Sequence, residues 1–365
     1  MRWFKRLGLG LGLIICLLIA WQINAWWRFL HTPIIIDKPQ IIELKPGTGL
    51  WSLTKELQKR GLLSQPTYFE WLARITGADK RLRAGEYAVP VGITPLALLD
   101  LLSSTNVIQH NLTLIEGWNN QQILAALANH PAISHTLAGL SVTEIKQRLG
   151  IKELNLEGLF YPDTYQFTKG TTDLAFLSRA HNLLQNYLQT EWMARQPNLP
   201  YQTPYQALIA ASLIEKEAKL GEERPLISGV IVKRLQSNMR LQIDASVIYG
   251  LGENYTGRLR RSDMRVDTPY NTYLYKGLPP TPIAIPSLAS IHAALHPVIT
   301  NNIFYVARGD GGHYFSADLA NHNAAIRQFL LNKQTKPVLI PAGNYSINLF
   351  NLNQSATKFC SANLN

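Results

Sequence analysis

The sequence predicts an α+β fold with an N-terminal transmembrane helix, a small α+β module and a larger mixed α/β domain. Three observations support this prediction: a basic and then apolar N-terminal segment, short strand patterns interleaved with helix patterns, and capping signals before several helices. With 46% hydrophobic and 16% charged residues, the composition is that of a globular protein. The 365 residues exceed the usual size of a single core, so we expect more than one domain.

The N-terminal segment, residues 1–30, has the pattern of a signal anchor. Basic residues precede an apolar stretch over residues 7–20 and tryptophans follow it: Arg2, Lys5, Arg6, Trp21, Trp26 and Trp27. About 20 apolar residues span a bilayer, and tryptophan favours its interface. A cleaved signal peptide shares this charge pattern, but the bulky tryptophans make a poor cleavage site. We therefore predict an uncleaved single-pass anchor with a cytoplasmic N-terminus and the rest of the chain outside the cytoplasm.

Charge and cysteine content exclude several classes of function. The net charge of +11 comes from 35 Lys and Arg residues spread along the chain. We therefore predict no nucleic-acid binding, and a protein that rests near an anionic membrane. Cys16 lies in the anchor behind bulky Ile15, which argues against a lipoprotein site, and Cys360 lies in the tail. Two such cysteines are too few for a thiolate metal site, and we expect no disulfide between them.

A small α+β module is predicted over residues 40–104. Residues 41–44 are typical of a strand, 46–49 of a turn and 85–89 of a returning strand. Helices are predicted over 50–60, 67–75 and 95–102. In the first of these helices, Leu53 and Leu57 share one face.

The larger domain is predicted over residues 105–333. It begins with an alternating strand over 108–115 and a helix over 119–128. Ser141 and Glu144 form a capping box, and Thr203 followed by Pro204 and Gln206 is a second helix start. Strands over 302–307 and 313–316 are joined through residues 310–312 as a hairpin. The polar, Asn-rich tail over 334–365 has no assigned structure or role.

The helix predicted over residues 203–220 contains two glutamates with different surroundings. At about 100° per residue, one face is apolar and contains Ile209, Ala210, Leu213, Ile214 and Leu220. The other face contains Ser212, Glu215, Lys216 and Lys219, with Glu215 and Lys219 as an i,i+4 pair. Glu217 falls in the middle of the apolar face, whereas Glu215 falls on the polar one.

A carboxyl group among apolar side chains favours its protonated form, and a group with a raised pKa can donate a proton and later take one back. This reasoning makes Glu217 a candidate acid/base catalyst. The alternative is a buried structural glutamate paired with an arginine such as Arg224 or Arg234. The pattern alone leaves both interpretations open.

Polar and aromatic residues after this helix are candidates for lining a sugar-binding cleft: Gln242, Asp244, Tyr270, Asn271, Tyr273 and His313. Aromatic faces and Asn, Gln and Asp side chains bind sugars. Ordinary turn chemistry explains the same residues, because Asn, Pro and Gly also mark loops. Each residue is therefore a candidate that the sequence does not decide.

No metal or cofactor site is predicted. His292 and His296 are four residues apart on a predicted helix, but residue 293 is alanine, so the His-Glu pattern of zinc peptidases is missing. We expect these two histidines to pack on a helix face. Gly8, Gly10 and Gly12 lie inside the anchor and do not form a dinucleotide loop, and there is no phosphate-binding loop or serine nucleophile elbow.

The chain resembles the endolytic murein transglycosylase (YceG-like) family from the anchor to about residue 329. The motifs that carry the resemblance are LKPGTG at 44–49, AGEY at 84–87, LEGLFYPDTY at 156–165, ASLIEKE at 211–217, RLQID at 240–244, YNTY at 270–273, GLPP at 277–280 and GGHYF at 311–315. Their order and spacing match throughout. The tail after residue 334 extends past the usual end of the family.

The resemblance implies a function. The catalytic glutamate of the family is the second of its Glu-Lys-Glu motif, which corresponds to Glu217. Residues 40–104 would form a LysM-like module that holds glycan, and residues 105–333 the catalytic domain. The implied location is the bacterial inner membrane, with the catalytic domain in the periplasm. The implied partners are peptidoglycan glycan strands and peptidoglycan synthases, the penicillin-binding proteins.

The implied reaction is non-hydrolytic cleavage of the β-1,4 bond between N-acetylmuramic acid and N-acetylglucosamine, with 1,6-anhydro ends as products. Glu217 would act first as acid and then as base, without a cofactor. An ordinary glycosidase uses two carboxylates, and Asp244 or Glu157 stays open as a second. Two rivals also stay open: a non-catalytic glycan-binding scaffold for cell-wall synthases, and a pyridoxal phosphate lyase using Lys216 or Lys219.

Overall fold

A computed structural model describes residues 2–45 and 47–331, with the backbone alone for 2–9, 11 and 331. Pro46 of the predicted turn, Cys360 and the tail over 334–365 lie outside the described residues. The chain divides into two compact units, one reaching up to Ile303 and one beginning at Phe304. This division differs from the predicted boundary at 104/105, which stays a prediction.

Helices and short strands alternate, as expected for an α+β fold. The helices are α1 (Arg2–His31), α2 (Leu50–Lys59), α3 (Pro66–Ile75), α4 (Pro95–Ser103), α5 (Asn120–Ala128), α6 (Val142–Leu149), α7 (Asp173–Met193), α8 (Pro204–Glu217), α9 (Arg224–Gln236), α10 (Asp244–Leu251), α11 (Leu288–Leu295) and α12 (Leu319–Ile326). The strands are β1 (Gln40–Leu44), β2 (Gly85–Val89), β3 (Gln109–Thr113), β4 (Ile133–Ser134), β5 (Thr164–Thr168), β6 (Thr171–Thr172), β7 (Phe304–Ala307) and β8 (His313–Ser316).

Helix α1 is continuous and contains a stretch, Gly12–His31, that is long and apolar enough to cross a membrane. Its last turns pack on the small module. The ring of Tyr68 lies 5.5 Å from those of Trp26 and Phe29, and its hydroxyl donates a hydrogen bond of 3.0 Å to Gln22 Oε1. Phe29 is buried in the core of the module. The C-terminal end of α1 is therefore part of the folded module.

The small module has a core of its own between an antiparallel strand pair and three helices. Strand β1 pairs with β2 from Gln40↔Val89 to Leu44↔Gly85. Leu57, Phe69 and Leu98 are fully buried between them. The predicted strands and helices of this module match the structure to within one residue. In this module the alternation of apolar and polar residues and the helical spacing of apolar residues were sufficient to predict the elements, because each element has one face on the core.

Glu86 connects the module to the following region of the same unit. Its carboxylate accepts from Lys169 Nζ at 2.9 Å and lies 2.7 Å from His110 Nε2. Burial acts to raise the pKa of Glu86, but these two bonds outweigh it and hold the pKa below its usual value. The contact between Glu86 and His110 also holds β3 against the module. Strand β3 runs antiparallel to β5 from Gln109↔Thr168 to Thr113↔Thr164.

The region from β3 to Ile303 is mainly helical, with short strand pairs in place of one larger sheet. The predicted strand over 108–115 is shorter, because β3 covers only Gln109–Thr113, and β4 and β6 form a parallel pair of two residues each. Helix α8 lies at the centre and contacts α7, α9, α10 and α11. In the second unit, β7 and β8 form the predicted antiparallel hairpin, and β7 begins at Phe304, two residues later than predicted.

Candidate active site

Helix α8 begins as the sequence predicted. Thr203 caps it by accepting from the backbone N–H of Gln206 at 3.3 Å, and Pro204 occupies the first turn. The Gln206 side chain reaches back, but to the N–H of Gln202 at 2.6 Å, one residue before the cap. The predicted end is wrong: α8 stops at Glu217, and Ala218 leaves the helical conformation with ψ of 100°.

The interior of α8 is buried on every side, so the predicted polar face is wrong for Ser212 and Glu215, whereas Lys216 and Lys219 are exposed as predicted. All residues from Ala207 to Ile214 are buried. Ser212 is fully buried, donates to Ile209 O at 2.7 Å and accepts from the N–H of Ile283 at 3.1 Å. Four helices surround α8, and polar groups on its far side are satisfied by distant parts of the chain.

Glu215, predicted to be solvated, is the most enclosed carboxylate of α8, with 7% of its side chain exposed. Its Oε2 accepts from the N–H of Ser287 at 3.0 Å and from the hydroxyls of Ser287 and Ser290 at 2.6 Å each. Arg224 Nη2 lies 3.9 Å from its other oxygen. Burial, and then the nearby Glu215 charge, raises the pKa of Glu116. Glu215 therefore ties the end of α8 to the start of α11.

Glu217 is the last residue of α8 and is partly exposed. Burial, the bond to Asp244 and the charge of Glu217 together raise the pKa of Tyr273. Glu217 and Tyr273 are therefore close enough to interact electrostatically, and the sequence had predicted both as site residues.

Two predicted site segments are hydrogen-bonded to each other beside Glu217. The N–H of Gln242 donates to Thr272 O at 3.1 Å, and that of Ile243 donates to Thr272 Oγ1 at 2.9 Å. Tyr273 donates through its hydroxyl to Asp244 Oδ1 at 2.6 Å. Asp244 opens α10, where the helix dipole favours a negative charge.

Asn271 and Gln242 hold these segments in shape. Asn271 is fully buried, donates through Nδ2 to Met264 O and Val266 O, and accepts from the N–H of Tyr273 at 3.0 Å. Gln242 has a φ of 52° and accepts from Arg234 Nη1 at 3.3 Å. Asn271 is therefore held inside the protein, whereas Gln242 is exposed, and the part that either plays in substrate binding stays a prediction.

Tyr270 leads to a second carboxylate, Glu157. Its hydroxyl lies 2.9 Å from Thr281 Oγ1, and its ring packs edge-on against Tyr249 at 4.8 Å. Tyr249 donates to Glu157 Oε2 at 3.0 Å, and the N–H of Asn120 donates to Glu157 Oε1 at 3.0 Å. Glu157 is 4% exposed, and this burial raises its pKa to about 7.

Glu157 lies in the wall of a cavity of about 490 Å³. Lys216, the residue between the two glutamates of α8, contributes to the same wall and donates to Gly117 O at 3.3 Å. Tyr249 and Ile248 of α10 also line the cavity. The cavity therefore adjoins the end of α8 at which Glu217 lies.

His313, the remaining candidate, lies in the second unit on β8. Its ring packs edge-on against Tyr305 at 5.3 Å and lies 6.3 Å from that of Phe315. Its role in binding stays a prediction.

Known proteins provide the decisive comparison. The profile of the YceG-like family matches residues 42–328, which include every motif of the helix α8 site. The chain belongs to the YceG-like family. An endolytic murein transglycosylase of Bacillus subtilis (strain 168) is 29% identical over 313 residues, covering 81% of this chain and 86% of its own length.

Two further similar proteins share less sequence with this chain. An endolytic murein transglycosylase of Streptococcus pneumoniae (strain D39) is 25% identical over 328 residues, or 80% of this chain, and the match spans 58% of the pneumococcal protein. A YceG-like protein of Listeria monocytogenes has a crystal structure that aligns with a TM-score of 0.49 and 23% identity, covering 79% of this chain and 99% of that one.

The sequence did not predict that Glu215 is enclosed, and it left Glu157 only as an open alternative for a second carboxylate. Glu157 stands in the LEGLFYPDTY motif, so the resemblance marked its position but not its burial. Nothing in the local sequence marks Glu215 as buried, because its donors, Ser287 and Ser290, lie 72 and 75 residues further along the chain.

Proposed function

We propose that this protein is an endolytic lytic transglycosylase that cleaves the β-1,4 bond between N-acetylmuramic acid and N-acetylglucosamine in nascent peptidoglycan, and so ends elongation of glycan strands. Membership of the YceG-like family and the two relatives named endolytic murein transglycosylase support the activity. The observation that carries the assignment to a residue is the position of Glu217, at the partly exposed end of an otherwise buried helix, beside Tyr273 and Asp244.

In the proposed reaction Glu217 acts twice. Protonated, it donates its proton to the glycosidic oxygen while the bond from that oxygen to C1 of the muramic residue breaks. The resulting carboxylate then removes the proton from the C6 hydroxyl of the same residue, and the C6 oxygen bonds to C1. The product has a 1,6-anhydro end, no water is consumed, and Glu217 returns to its protonated state.

The neighbours of Glu217 support this cycle through their positions. Glu215 contributes by fixing the end of α8 to α11, so that the catalytic carboxyl stays in place. Tyr270 and Tyr273 present the aromatic groups that we assign to sugar contact, whereas Gln242 and Asn271 position the loops that bear them.

We further propose that α1 anchors the protein in the inner membrane and that the folded units face the periplasm, where glycan strands and their synthases are found. The positive-inside pattern and the apolar stretch of α1 support this orientation. The small module is proposed to hold glycan in a LysM-like manner, and its exposed Trp51 and Trp71 offer flat faces for sugar rings.

The experiment uses the full-length chain in mild detergent with uncrosslinked glycan strands, followed by mass spectrometry of the products. Wild type is compared with Glu217→Gln and with Glu222→Gln, a matched control at an exposed glutamate five residues along the chain. We expect anhydro ends from wild type and from the control, and a rate lower by about 10²- to 10⁴-fold in Glu217→Gln.

Three outcomes would overturn the proposal. Reducing ends in place of anhydro ends would mean that water is the acceptor and that a second carboxylate is needed. Equal cleavage by Glu217→Gln would remove Glu217 from the chemistry. Strand binding without cleavage by wild type, also in membranes and with a synthase present, would favour the scaffold function.

A further inference from the structure

Three potential metal ligands meet at one corner of the first unit, remote in sequence from the Glu217 site. Glu191 lies in the last turn of α7, His292 lies in α11, and His296 directly follows α11. Their ligand atoms all lie within 4.8 Å of one another. Glu191 Oε2 is 2.8 Å from His292 Nδ1 and 3.8 Å from His296 Nδ1. Two imidazoles and one carboxylate form the donor set of many zinc sites.

The surroundings of His296 prepare it to be a ligand. Its Nε2 lies 2.9 Å from Ala194 O, a carbonyl that can only accept, so we assign the proton to Nε2. With this proton in the neutral ring, Nδ1 faces two acceptors, the His292 carbonyl at 3.2 Å and Glu191 Oε2 at 3.8 Å, and a bound ion would take the place of a proton between them. Metal-bound histidines usually donate their second N–H to a carbonyl or carboxylate in this way, which orients the ring. His296 is also 22% exposed, so the protein restrains it while leaving access.

The ends of two helices add a second, independent attraction for a cation. Helix α7 ends at Met193 and α11 ends at Leu295, so the cluster lies where the C-terminal ends of both helices meet. The N–H of Gln196 donates to Leu295 O at 3.0 Å and holds these ends together. Unpaired carbonyls at a helix C-terminus carry partial negative charge and favour cations. His296 Nδ1 itself lies 3.2 Å from the carbonyl oxygen of His292.

We propose that Glu191, His292 and His296 form a binding site for a divalent transition-metal ion of the Zn²⁺ type, which braces α7 against α11. The rings of His292 and His296 are stacked, with centroids 4.2 Å apart, so one ring must turn for both nitrogens to point at one ion. His292 can turn, because 56% of its side chain is exposed. Water would complete the coordination.

This proposal revises the expectation, drawn from the sequence, that the two histidines merely pack on a helix face. Their spacing alone predicted no metal, because the third ligand is not near them in sequence. Glu191 lies 101 residues before His292. The fold brings it within hydrogen-bond distance and supplies the carboxylate that the pattern at residues 292–296 lacks.

The test is isothermal titration calorimetry of the full-length chain in detergent, prepared without a histidine tag, with ZnCl₂ as the probe. We expect one Zn²⁺ per chain, and weaker binding at about pH 5.5 than at about pH 7.5, because protons compete for the imidazoles. Zn²⁺ should also raise the thermal midpoint, since it binds the folded chain. CaCl₂ should give no comparable binding, because Ca²⁺ requires oxygen ligands.

Three variants connect this binding to the named residues. His292→Ala and Glu191→Gln should each weaken Zn²⁺ binding by at least about 10-fold, since loss even of groups that orient metal ligands has an effect of that size. His135→Ala, at another exposed histidine, should bind as wild type does. Melting curves without metal show whether each variant is folded, and the two ligand variants serve as checks on each other.

The proposal is overturned if wild type does not bind Zn²⁺, if both ligand variants bind it as wild type does, or if Ca²⁺ binds equally well. In the first case, the cluster is a histidine–carboxylate ion pair only. In the second case, the ion binds elsewhere on the chain.

Discussion

The α8–α11 contact around Glu215 and the cavity wall around Glu157 both bury a glutamate. They differ in the hydrogen-bond donors and the charges that surround the carboxyl group. Glu215 receives three hydrogen bonds and has Arg224 nearby. Within the described residues, Glu157 has neutral donors only, Tyr249 and backbone N–H groups, and burial raises its pKa to about 7. Glu215, with three donors and a cation nearby, fixes the contact between two helices, whereas Glu157, with neutral donors only, has a raised pKa.

The largest expected effect comes from replacing Glu215, whose Oε2 accepts three hydrogen bonds. Glu215→Leu leaves two serine hydroxyls without their acceptor and takes the negative charge away from Arg224, whose Nη2 lies 3.9 Å from Glu215 Oε1. We therefore expect the free energy of unfolding to fall by about 3–5 kcal/mol. Urea denaturation in mild detergent measures this change. Glu222→Leu, at an exposed site, is the control and should stay within about 0.5 kcal/mol of wild type. A loss below about 1 kcal/mol for Glu215→Leu would show that the contact is not a structural anchor.

The difference between these two regions also shows what the sequence can predict. In the small module, alternation and helical spacing gave the strands and helices to within one residue, because each element has one buried face and one exposed face. Helix α8 is surrounded by other helices, so a two-faced pattern placed Glu215 and Ser212 in solvent, where neither is found. The sequence around α8 could not predict the burial of these two side chains, because their hydrogen-bond partners lie about 70 residues away.

Glu217 was selected by the helical pattern and by family resemblance, and the structure places it in a different environment. The pattern predicted a carboxyl in the middle of an apolar face, whereas Glu217 ends the helix and is partly exposed. The position of a helix end depends on tertiary contacts that follow it, and Ala218 departs from helical geometry without a glycine or proline to mark the stop. The catalytic role of Glu217 therefore stays a prediction, and its environment could not be predicted from the sequence.

The second prediction concerns the cavity wall around Glu157 and the dependence of its stability on pH. The pKa of Glu157 is about 7 in the folded chain, against the ordinary glutamate value of 4.5 that applies to the unfolded chain. The folded state therefore binds this proton more tightly than the unfolded state. Its contribution to stability is therefore complete below about pH 4.5 and is lost as the pH rises through about 7, a total of about 3 kcal/mol. Glu157→Gln, which resembles the protonated acid, should lack this loss.

The measurement is the difference in unfolding free energy between Glu157→Gln and wild type across the range from about pH 4.5 to 8.5. This difference should move in favour of the variant as the pH rises, by up to about 3 kcal/mol. Glu153→Gln, at a partly exposed loop glutamate four residues earlier, should show no such trend. A difference that stays constant with pH would mean that Glu157 is not held near neutrality.

A smaller effect should follow from removing one donor to Glu215. Ser290 is fully buried, donates to Glu215 at 2.6 Å and accepts from Arg224 Nε at 3.1 Å. Ser290→Ala should lower the free energy of unfolding by about 1–3 kcal/mol. In the Glu215→Leu background the same substitution should have less effect, and equal effects in both backgrounds would contradict the contact.

The smallest effect is expected for Tyr249→Phe, and its pH dependence is more informative than its size. The Tyr249 hydroxyl donates to Glu157 and favours the ionised carboxylate, so its loss should raise the pKa of Glu157 further. At about pH 5 the variant should lose at most about 1 kcal/mol, because the carboxyl is protonated in the folded chain. Above about pH 7 the loss should grow, since an ionised Glu157 then lacks its strongest donor. A loss that is equal at both pH values would make Tyr249 a packing residue, and the cavity wall would then resemble the Glu215 contact more closely than its donors suggest.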